Sequence, residues 1–180
     1  MHLRQLFCAA LPAMLLACAG PGSTARSGFE EDFNNEDKPW QEVALQLPVA
    51  PQDKDLLPFA VSGNATQAFA IDPQSLSIGE DGVVRYTLLS VSPAGARNVS
   101  YEGIRCETFE KKLYAIGHDD GSWSRARRSE WDRIVRNAAN RQHAVLAIDY
   151  FCDSKMVAGN SRQILDRIRY QRPVNRRFGD

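Results

Sequence analysis

The chain has 180 residues, of which 43% are hydrophobic and 24% are charged, and its formal net charge at pH 7 is zero. This length is sufficient for one domain with a sizeable buried core. Balanced charge excludes a general electrostatic attraction to nucleic acid, so nucleic acid is not among the predicted partners.

The first seventeen residues have the pattern of a secretory signal. Arg4 precedes an uncharged apolar run from Leu6 to Ala17. The run is shorter than the roughly 20 residues that cross a bilayer, and it has the length of a signal-peptide core. We predict that residues 1–17 are a signal peptide that is removed. Cleavage after Ala19, as in a plain secretory signal, is the alternative.

The tetrad Leu15-Leu16-Ala17-Cys18 resembles the lipobox of bacterial lipoprotein signal peptides. The resemblance implies that the Cys18 thiol carries a diacylglycerol and that the new amine receives a further acyl chain such as palmitate. Several acyl chains together make a durable anchor, whereas one binds only marginally. Ala19 follows the cysteine where retention signals carry aspartate, which favours the outer membrane. We predict a lipid anchor there with the domain facing the periplasm; the cell surface is the alternative location.

Residues 18–39 are poor in aliphatic side chains and rich in small and acidic ones. This composition is typical of a flexible tether, here a lipidated one, with an r.m.s. span of about 25 Å. The folded part is predicted to be a single domain over residues 40–180.

The chain contains four cysteines, Cys8, Cys18, Cys106 and Cys152. With Cys8 in the signal and Cys18 lipidated, two are left in an oxidising compartment, where they most simply pair. We therefore predict a Cys106–Cys152 disulfide. A redox or metal-binding pair is the alternative, although the chain has no Cys-x-x-Cys spacing.

Most predicted elements of the domain are strands. Alternating apolar and polar residues over Val43–Leu47 predict a half-buried strand. Gly103 is expected to form a bulge, and Asp120-Gly121 a tight turn. Further strands are predicted at Phe59–Val61, Ala68–Ile71, Ser75–Ile78, Val83–Ser92, Asn98–Cys106 and Thr108–Ile116.

Helical character is predicted only near the C-terminus. Ser129 and Asp132 resemble a capping box, and apolar residues recur at helical spacing over 130–142. The continuous apolar run over 143–153 predicts a buried strand, and Ser161 begins a second amphipathic helix. The predicted fold class is α+β, with a mainly antiparallel, strongly curved sheet, two C-terminal amphipathic helices and one disulfide.

The segments "GARNVSYEGIRCETFEKKLYAIG" and "AVLAIDYFC" resemble the cryptic neisserial protein-like family of bacterial lipoproteins. The likeness extends from about Glu42 to Tyr170 and implies no particular activity, because the family has none established. The segment "FAIDPQSLSIGEDGVVRYTLLS", followed by two spaced cysteines, has a fainter resemblance to surface-adhesin protein E. That resemblance implies a small antiparallel sheet with a disulfide, and binding to host matrix proteins.

The cluster whose residue types are best suited to catalysis or metal binding is His118, Asp119 and Asp120. A histidine beside carboxylates can act as a general base or ligate a metal. The alternative is turn chemistry, because adjacent strand residues point to opposite faces and a glycine follows.

Two groups of residues are candidates for binding. Tyr101, Glu102 and Arg105 are a candidate recognition group beside the disulfide, and cross-strand ion pairing on a solvated face is the alternative. Arg127 and Arg128, with other arginines, are candidates for an anionic polymer; a basic face balanced by the acidic tether is the alternative. The other arginines are Arg125, Arg133, Arg136, Arg162, Arg167, Arg169, Arg172, Arg176 and Arg177. An aromatic groove is a further hypothesis, with core packing as its alternative; its members are Tyr101, Tyr114, Trp123, Trp131 and Tyr150.

The chain has no Gly-x-Ser-x-Gly, His-Glu-x-x-His or phosphate-binding glycine loop. We therefore predict a non-enzymatic binding or envelope-assembly module anchored to the outer membrane, with no catalytic residue, metal or cofactor. Its expected partners are the membrane, through the lipid, and an envelope protein or anionic polymer. The alternatives are a surface-exposed adhesin and an envelope hydrolase that uses His118 and Asp120.

Overall fold

In the main, seven-stranded sheet, the first six strands lie side by side in chain order and are antiparallel to their neighbours. The structure is a computed structural model that describes residues 39–62, 65–135 and 141–174, and the chain divides into two units, Met1–Pro39 and Trp40–Asp180. A short 3₁₀ turn, Asp53–Asp55, precedes the sheet. The strands are β1 (Leu57–Phe59), β2 (Ala68–Ile78), β3 (Val83–Val91), β4 (Arg97–Arg105), β5 (Glu110–Gly117), β6 (Trp123–Arg125) and β7 (Asp132–Arg133), which pairs with β5 beside β6.

The predicted strands of the central hairpins are confirmed within a residue or two. The first seven residues of β3 are buried, as expected for the middle of a covered sheet. The Asp120-Gly121 turn is present: the Gly121 N–H donates to His118 O, and Gly121 has a φ of 81° that favours glycine. The two strands predicted at Ala68–Ile71 and Ser75–Ile78 are one strand, β2, with a register shift between Asp72 and Ser77.

The predicted bulge lies one step from its expected place. Tyr101 pairs with Ala115 and Glu102 with Leu113, so the extra residue is Tyr114, on β5 rather than β4. Gly103 has a different role. A Cβ atom there would lie 2.7 Å from the Tyr114 hydroxyl oxygen. Gly103 therefore makes room for the ring of Tyr114.

The prediction of a strongly curved sheet is wrong, because the sheet is neither strongly curled nor closed. Among the described strands, β1 pairs only with β2 and β6 only with β5, so two separate edges remain. Closure into a barrel requires the edges to pair. Each edge strand here has three residues, and Pro58 in β1 has no N–H to donate.

The first predicted helix and the strand after it are also wrong. β7 lies inside the range predicted as helix, and residues 136–140 lie outside the described residues. Its pairing sets Arg133 opposite Glu110 and Asp132 opposite Lys111, which favours a strand. The run predicted as a buried strand forms the helix α1 (Arg141–Val145), which continues as a π-helical stretch, Leu146–Phe151. Only its last two residues are a strand, β8 (Cys152–Asp153), which pairs with β9 (Met156–Val157).

The second predicted helix is confirmed as α2 (Ser161–Arg169). Asn160 caps its N-terminus: its side chain accepts from the Gln163 N–H, and the Gln163 side chain accepts from the Asn160 N–H. This reciprocal capping box satisfies two backbone donors that would otherwise lack partners. Ile164 and Ile168 face inward and are fully buried.

One face of the sheet is covered by the helical layer. Tyr86 and Ile104 of the sheet share a core with Phe151, Ile164 and the other buried helical residues. The Tyr86 and Phe151 rings meet edge to face, with centroids 5.1 Å apart, a favoured aromatic geometry. None of the helices in the described ranges is long and apolar enough to pass through a membrane.

The predicted disulfide is present between Cys106 and Cys152. Cys106 follows the end of β4 and Cys152 follows the π-helical stretch, and both are buried. The bond therefore joins the sheet covalently to the helical layer that packs on it.

Candidate functional site

The second face of the sheet is covered by residues 40–50, which we call the strap. The strap has no regular secondary structure, so the strand predicted at Val43–Leu47 is wrong. Leu45 packs against Tyr101 and Tyr114, and the Trp123 indole N–H donates to Pro48 O over 2.9 Å. The alternation that predicted a strand does not match the burial, because Leu45 packs on the sheet whereas Val43 and Leu47 are exposed.

Charged contacts fix the first half of the strap. The Glu42 carboxylate accepts from Lys112 Nζ at 2.6 Å and from the Tyr114 hydroxyl. Arg85 makes two hydrogen bonds to Asp81, at 2.6 and 3.1 Å, and lies 3.6 Å from Glu42. Burial by itself raises the pKa of Glu42, but the hydrogen bonds from Lys112 and Tyr114 outweigh it and leave the pKa lowered. The Glu42 carboxylate is therefore a charged anchor.

Trp40 is the first residue of the strap and is held by three contacts. Its indole N–H donates to Asp81 O at 2.8 Å, the Arg105 guanidinium lies 4.0 Å from its ring centroid, and Trp131 meets it edge to face. The five aromatic residues considered as a groove do not lie on one face of the sheet. Four of them contact the strap or one another beneath it, whereas Tyr150 is buried among the helical residues on the other face.

The candidate recognition group does not share one surface. Tyr101 is buried under the strap, and its neighbour Glu102 is buried on the helical face. Arg105 forms an ion pair with Glu107 and packs on Trp40. Successive strand residues point to opposite faces, so the geometry follows from the pleat.

Glu102 belongs instead to a buried polar cluster that the sequence did not indicate. Its Oε2 atom lies 2.7 Å from His143 Nε2 and accepts from the Tyr86 hydroxyl at 3.1 Å, and its Oε1 atom accepts from Ser100 Oγ at 2.7 Å. Glu102 is 8% exposed and His143 6%. Burial raises the pKa of Glu102, but the charge and hydrogen bond of His143, with the two hydroxyls, leave it lowered.

This cluster brings a carboxylate and an imidazole into contact inside the domain. His143 Nδ1 has no hydrogen-bond partner within the described residues. The two ionisable residues are 41 positions apart. The only local signal was an acidic residue within the buried segment Tyr101–Ile104 of β4.

The His118-Asp119-Asp120 segment is a turn on an exposed surface. His118 Nε2 lies 2.6 Å from Ser124 Oγ. Asp120 Oδ1 accepts from the Ser122 N–H at 2.9 Å and from Ser122 Oγ at 2.6 Å. These hydrogen bonds lower the pKa of Asp120. Within the described ranges, no group of three or more His, Cys, Asp or Glu side chains could hold a metal ion.

The arginine candidates are dispersed. Arg125, Arg127, Arg128 and Arg133 are exposed, and Arg128 forms an ion pair with Glu130. Arg136, Arg176 and Arg177 lie outside the described residues, as do Cys18 and the signal segment. The C-terminal group is the exception, because Arg167 and Arg172 line the same depression.

That depression lies between the β8–β9 hairpin and α2, and we call it the hairpin–α2 groove. Its volume is about 570 Å³, and its wall includes Met156, Tyr170 and Val174. The Arg167 guanidinium donates from both terminal nitrogens to Ala158 O, and burial lowers its pKa. The Arg172 guanidinium lies 5.4 Å from the centroid of the Tyr170 ring. Sequence reasoning found the arginines but missed Met156, because its place beside α2 depends on the hairpin.

The molecule is an open, mostly antiparallel sheet with two short helices on one face, a strap on the other and one disulfide between layers. The chain belongs to the CNP1-like family, whose model matches residues 35–169, and this confirms the resemblance to the cryptic neisserial protein-like family. Comparison with curated proteins and with solved structures gave no match.

Proposed function

We propose that this protein is a non-catalytic binding module, held at the outer membrane by a lipid on Cys18, with its folded unit in the periplasm. The observation that carries the proposal is the Cys106–Cys152 disulfide between the sheet and the helical layer. Disulfides persist in oxidising compartments such as the bacterial periplasm. The lipobox-like tetrad at residues 15–18 supports the same location.

The surface supports binding rather than catalysis. Of the residues weighed for hydrolysis, His118 contacts Ser124 of β6 and Asp120 contacts Ser122 of the turn. The hairpin–α2 groove, in contrast, has two large apolar side chains open to solvent, Met156 and Tyr170. Methionine, tyrosine and arginine are enriched in protein interfaces.

The anchor is tested by replacing Cys18 with alanine, with Cys8→Ala as the matched control inside the predicted signal peptide. Cells are labelled with radioactive palmitate, and membrane and soluble fractions are separated. We expect the wild-type and Cys8→Ala proteins to be labelled and membrane-bound, and the Cys18→Ala protein to be unlabelled and soluble. A Cys18→Ala protein that is still labelled and membrane-bound would contradict the proposed anchor.

The same cells decide the orientation of the folded unit. Protease added to intact cells should leave a periplasmic domain whole and should digest it after the outer membrane is opened. Digestion on intact cells would contradict the periplasmic orientation and favour the adhesin alternative.

A further inference from the structure

We propose that the hairpin–α2 groove binds an acidic segment of a partner envelope protein, with a carboxylate on Arg167 and Arg172 and an apolar side chain between Met156 and Tyr170. This inference rests on the proposed function as a binding module, and it names the surface and the chemistry of the partner.

The apolar part of the groove is open to solvent. Met156 is 72% exposed and Tyr170 is 60% exposed, and both line the same depression. Removing such side chains from water is favourable by roughly 25 cal/mol per Å² of apolar area. The volume of about 570 Å³ lies within the range of ligand sites, roughly 300–1,000 Å³. A short stretch of peptide with one or two apolar side chains fits this space.

The two arginines of the groove have no ion-pair partner among the described residues. Within the described ranges, Arg167 has no carboxylate partner and is held only by the Ala158 carbonyl. The wall also contains two aspartates: Asp166 is paired with Arg169 at 3.0 Å, whereas Asp153 has no ion-pair partner among the described residues. A partly buried guanidinium that is already oriented recognises a carboxylate through charge-assisted hydrogen bonds.

The surrounding sequence favours an acidic occupant. From Asp153 to Val174 the chain has five basic residues, Lys155, Arg162, Arg167, Arg169 and Arg172, against two acidic residues, Asp153 and Asp166. Charge complementarity of this kind increases the association rate and selects partners. An anionic polysaccharide or polyphosphate would satisfy the arginines but would leave the exposed methionine and tyrosine without an apolar partner. A peptide satisfies both.

The hairpin side of the groove is tied to α2 and to the disulfide. Gly159 has a φ of 84°, and a Cβ atom there would lie 2.2 Å from the Gln163 side-chain oxygen of the α2 capping box. The β8–β9 hairpin begins at Cys152, which the disulfide holds. A preorganised wall reduces the entropy lost on binding.

The test uses the mature, lipidated full chain in detergent micelles and three fluorescein-labelled peptides, followed by fluorescence anisotropy. The first peptide has three acidic residues flanking a leucine and a phenylalanine. In the second peptide amides replace the carboxylates, and in the third serines replace the apolar residues. We expect the first to bind at least tenfold more tightly than either of the others.

Two variants locate the site. Met156→Ser and Arg167→Gln should each weaken binding of the first peptide at least tenfold. Val49→Ser, a change at an exposed apolar residue of the strap, should not affect it. Unfolding midpoints measured in parallel show whether Arg167→Gln is folded. Because Met156 is exposed to solvent, Met156→Ser tests the site without disturbing the core.

Four results would overturn the inference. They are no binding of the first peptide at 1 mM, equal binding of the peptide without apolar residues, equal binding of polyphosphate, and a dimer of the chain that Met156→Ser dissociates. The last would make a second copy the occupant. The anchor is measured separately by palmitate labelling, so failure here and failure of the proposed function are distinguishable.

Discussion

Replacing His143 with leucine removes the imidazole that faces the Glu102 carboxylate inside the domain. In this variant Glu102 keeps its hydrogen bonds from Ser100, at 2.7 Å, and Tyr86, at 3.1 Å, but loses the contact with His143 Nε2 at 2.7 Å. Removing one partner from a buried carboxylate leaves it partly desolvated without compensation, which costs about 1–3 kcal/mol or more for a charged group.

Protonation of Glu102 limits that cost. At pH 7, neutralising a carboxyl group whose ordinary pKa is 4.5 costs about 3.4 kcal/mol, at about 1.36 kcal/mol per unit. Since a protonated Glu102 can remain hydrogen-bonded to the two hydroxyls, we expect His143→Leu to lower the free energy of unfolding by about 3 kcal/mol.

The assay is guanidinium unfolding with the disulfide intact, fitted by linear extrapolation. His118→Leu is the matched control, because His118 is exposed, and its effect should stay within about 0.5 kcal/mol. The double variant Glu102→Leu/His143→Leu should recover most of the loss, since apolar pairs often replace buried ion pairs without penalty. If His143→Leu cost no more than His118→Leu, or if the double variant were as unstable as the summed single variants, the reasoning would be refuted.

The pH dependence has a definite sign. Because the pKa of Glu102 is lowered in the folded protein, the unfolded chain binds the proton more readily. The carboxylate therefore contributes stability above its ordinary pKa of 4.5, and this contribution is lost as the pH falls through the folded value. The wild type should lose this stability on acidification below about pH 4.5, and Glu102→Gln should lack that part of the slope.

Two further predictions concern the disulfide and Gly103. The double variant Cys106→Ser/Cys152→Ser opens a loop with a sequence separation of 46, so it should lose about 4 kcal/mol of unfolding free energy; identical unfolding midpoints with and without reductant in the wild type would contradict this. Gly103→Ala places a methyl group 2.7 Å from the Tyr114 hydroxyl, so it should cost about 1–3 kcal/mol by overpacking. Pairing it with Tyr114→Leu should restore part of the loss, and strictly additive losses in thermal unfolding would show that the two sites do not meet.

Local chemistry predicted the elements that are set by nearby residues. The hairpin strands β3, β4 and β5 have apolar runs bounded by turn residues, and the Asp120-Gly121 turn needs only a glycine at positive φ. α2 has its capping and its apolar spacing within about ten consecutive residues. The disulfide followed from compartment and cysteine count, without knowledge of the fold.

The wrong predictions share a physical cause. A continuous apolar run such as Ala144–Phe151 is compatible with a buried strand or a buried helix, and its periodicity does not distinguish them. Packing against the sheet favours the helical conformation, in which the Phe151 ring contacts the Tyr86 ring. Likewise, the strap has the alternation of a strand, but Glu42 is held by the Lys112 side chain on β5 and Trp40 by the Asp81 carbonyl between β2 and β3.

By itself, the sequence determined the antiparallel hairpins, the last helix, the disulfide and the family, because each depends on local patterns or on residue counts. Only the tertiary structure decided which charged residues are buried, that Glu102 meets His143, and that Met156 stands beside Tyr170 and two arginines. These contacts join residues far apart in the chain or on separate elements. Their energies arise from desolvation and close approach, which exist only after the layers have packed.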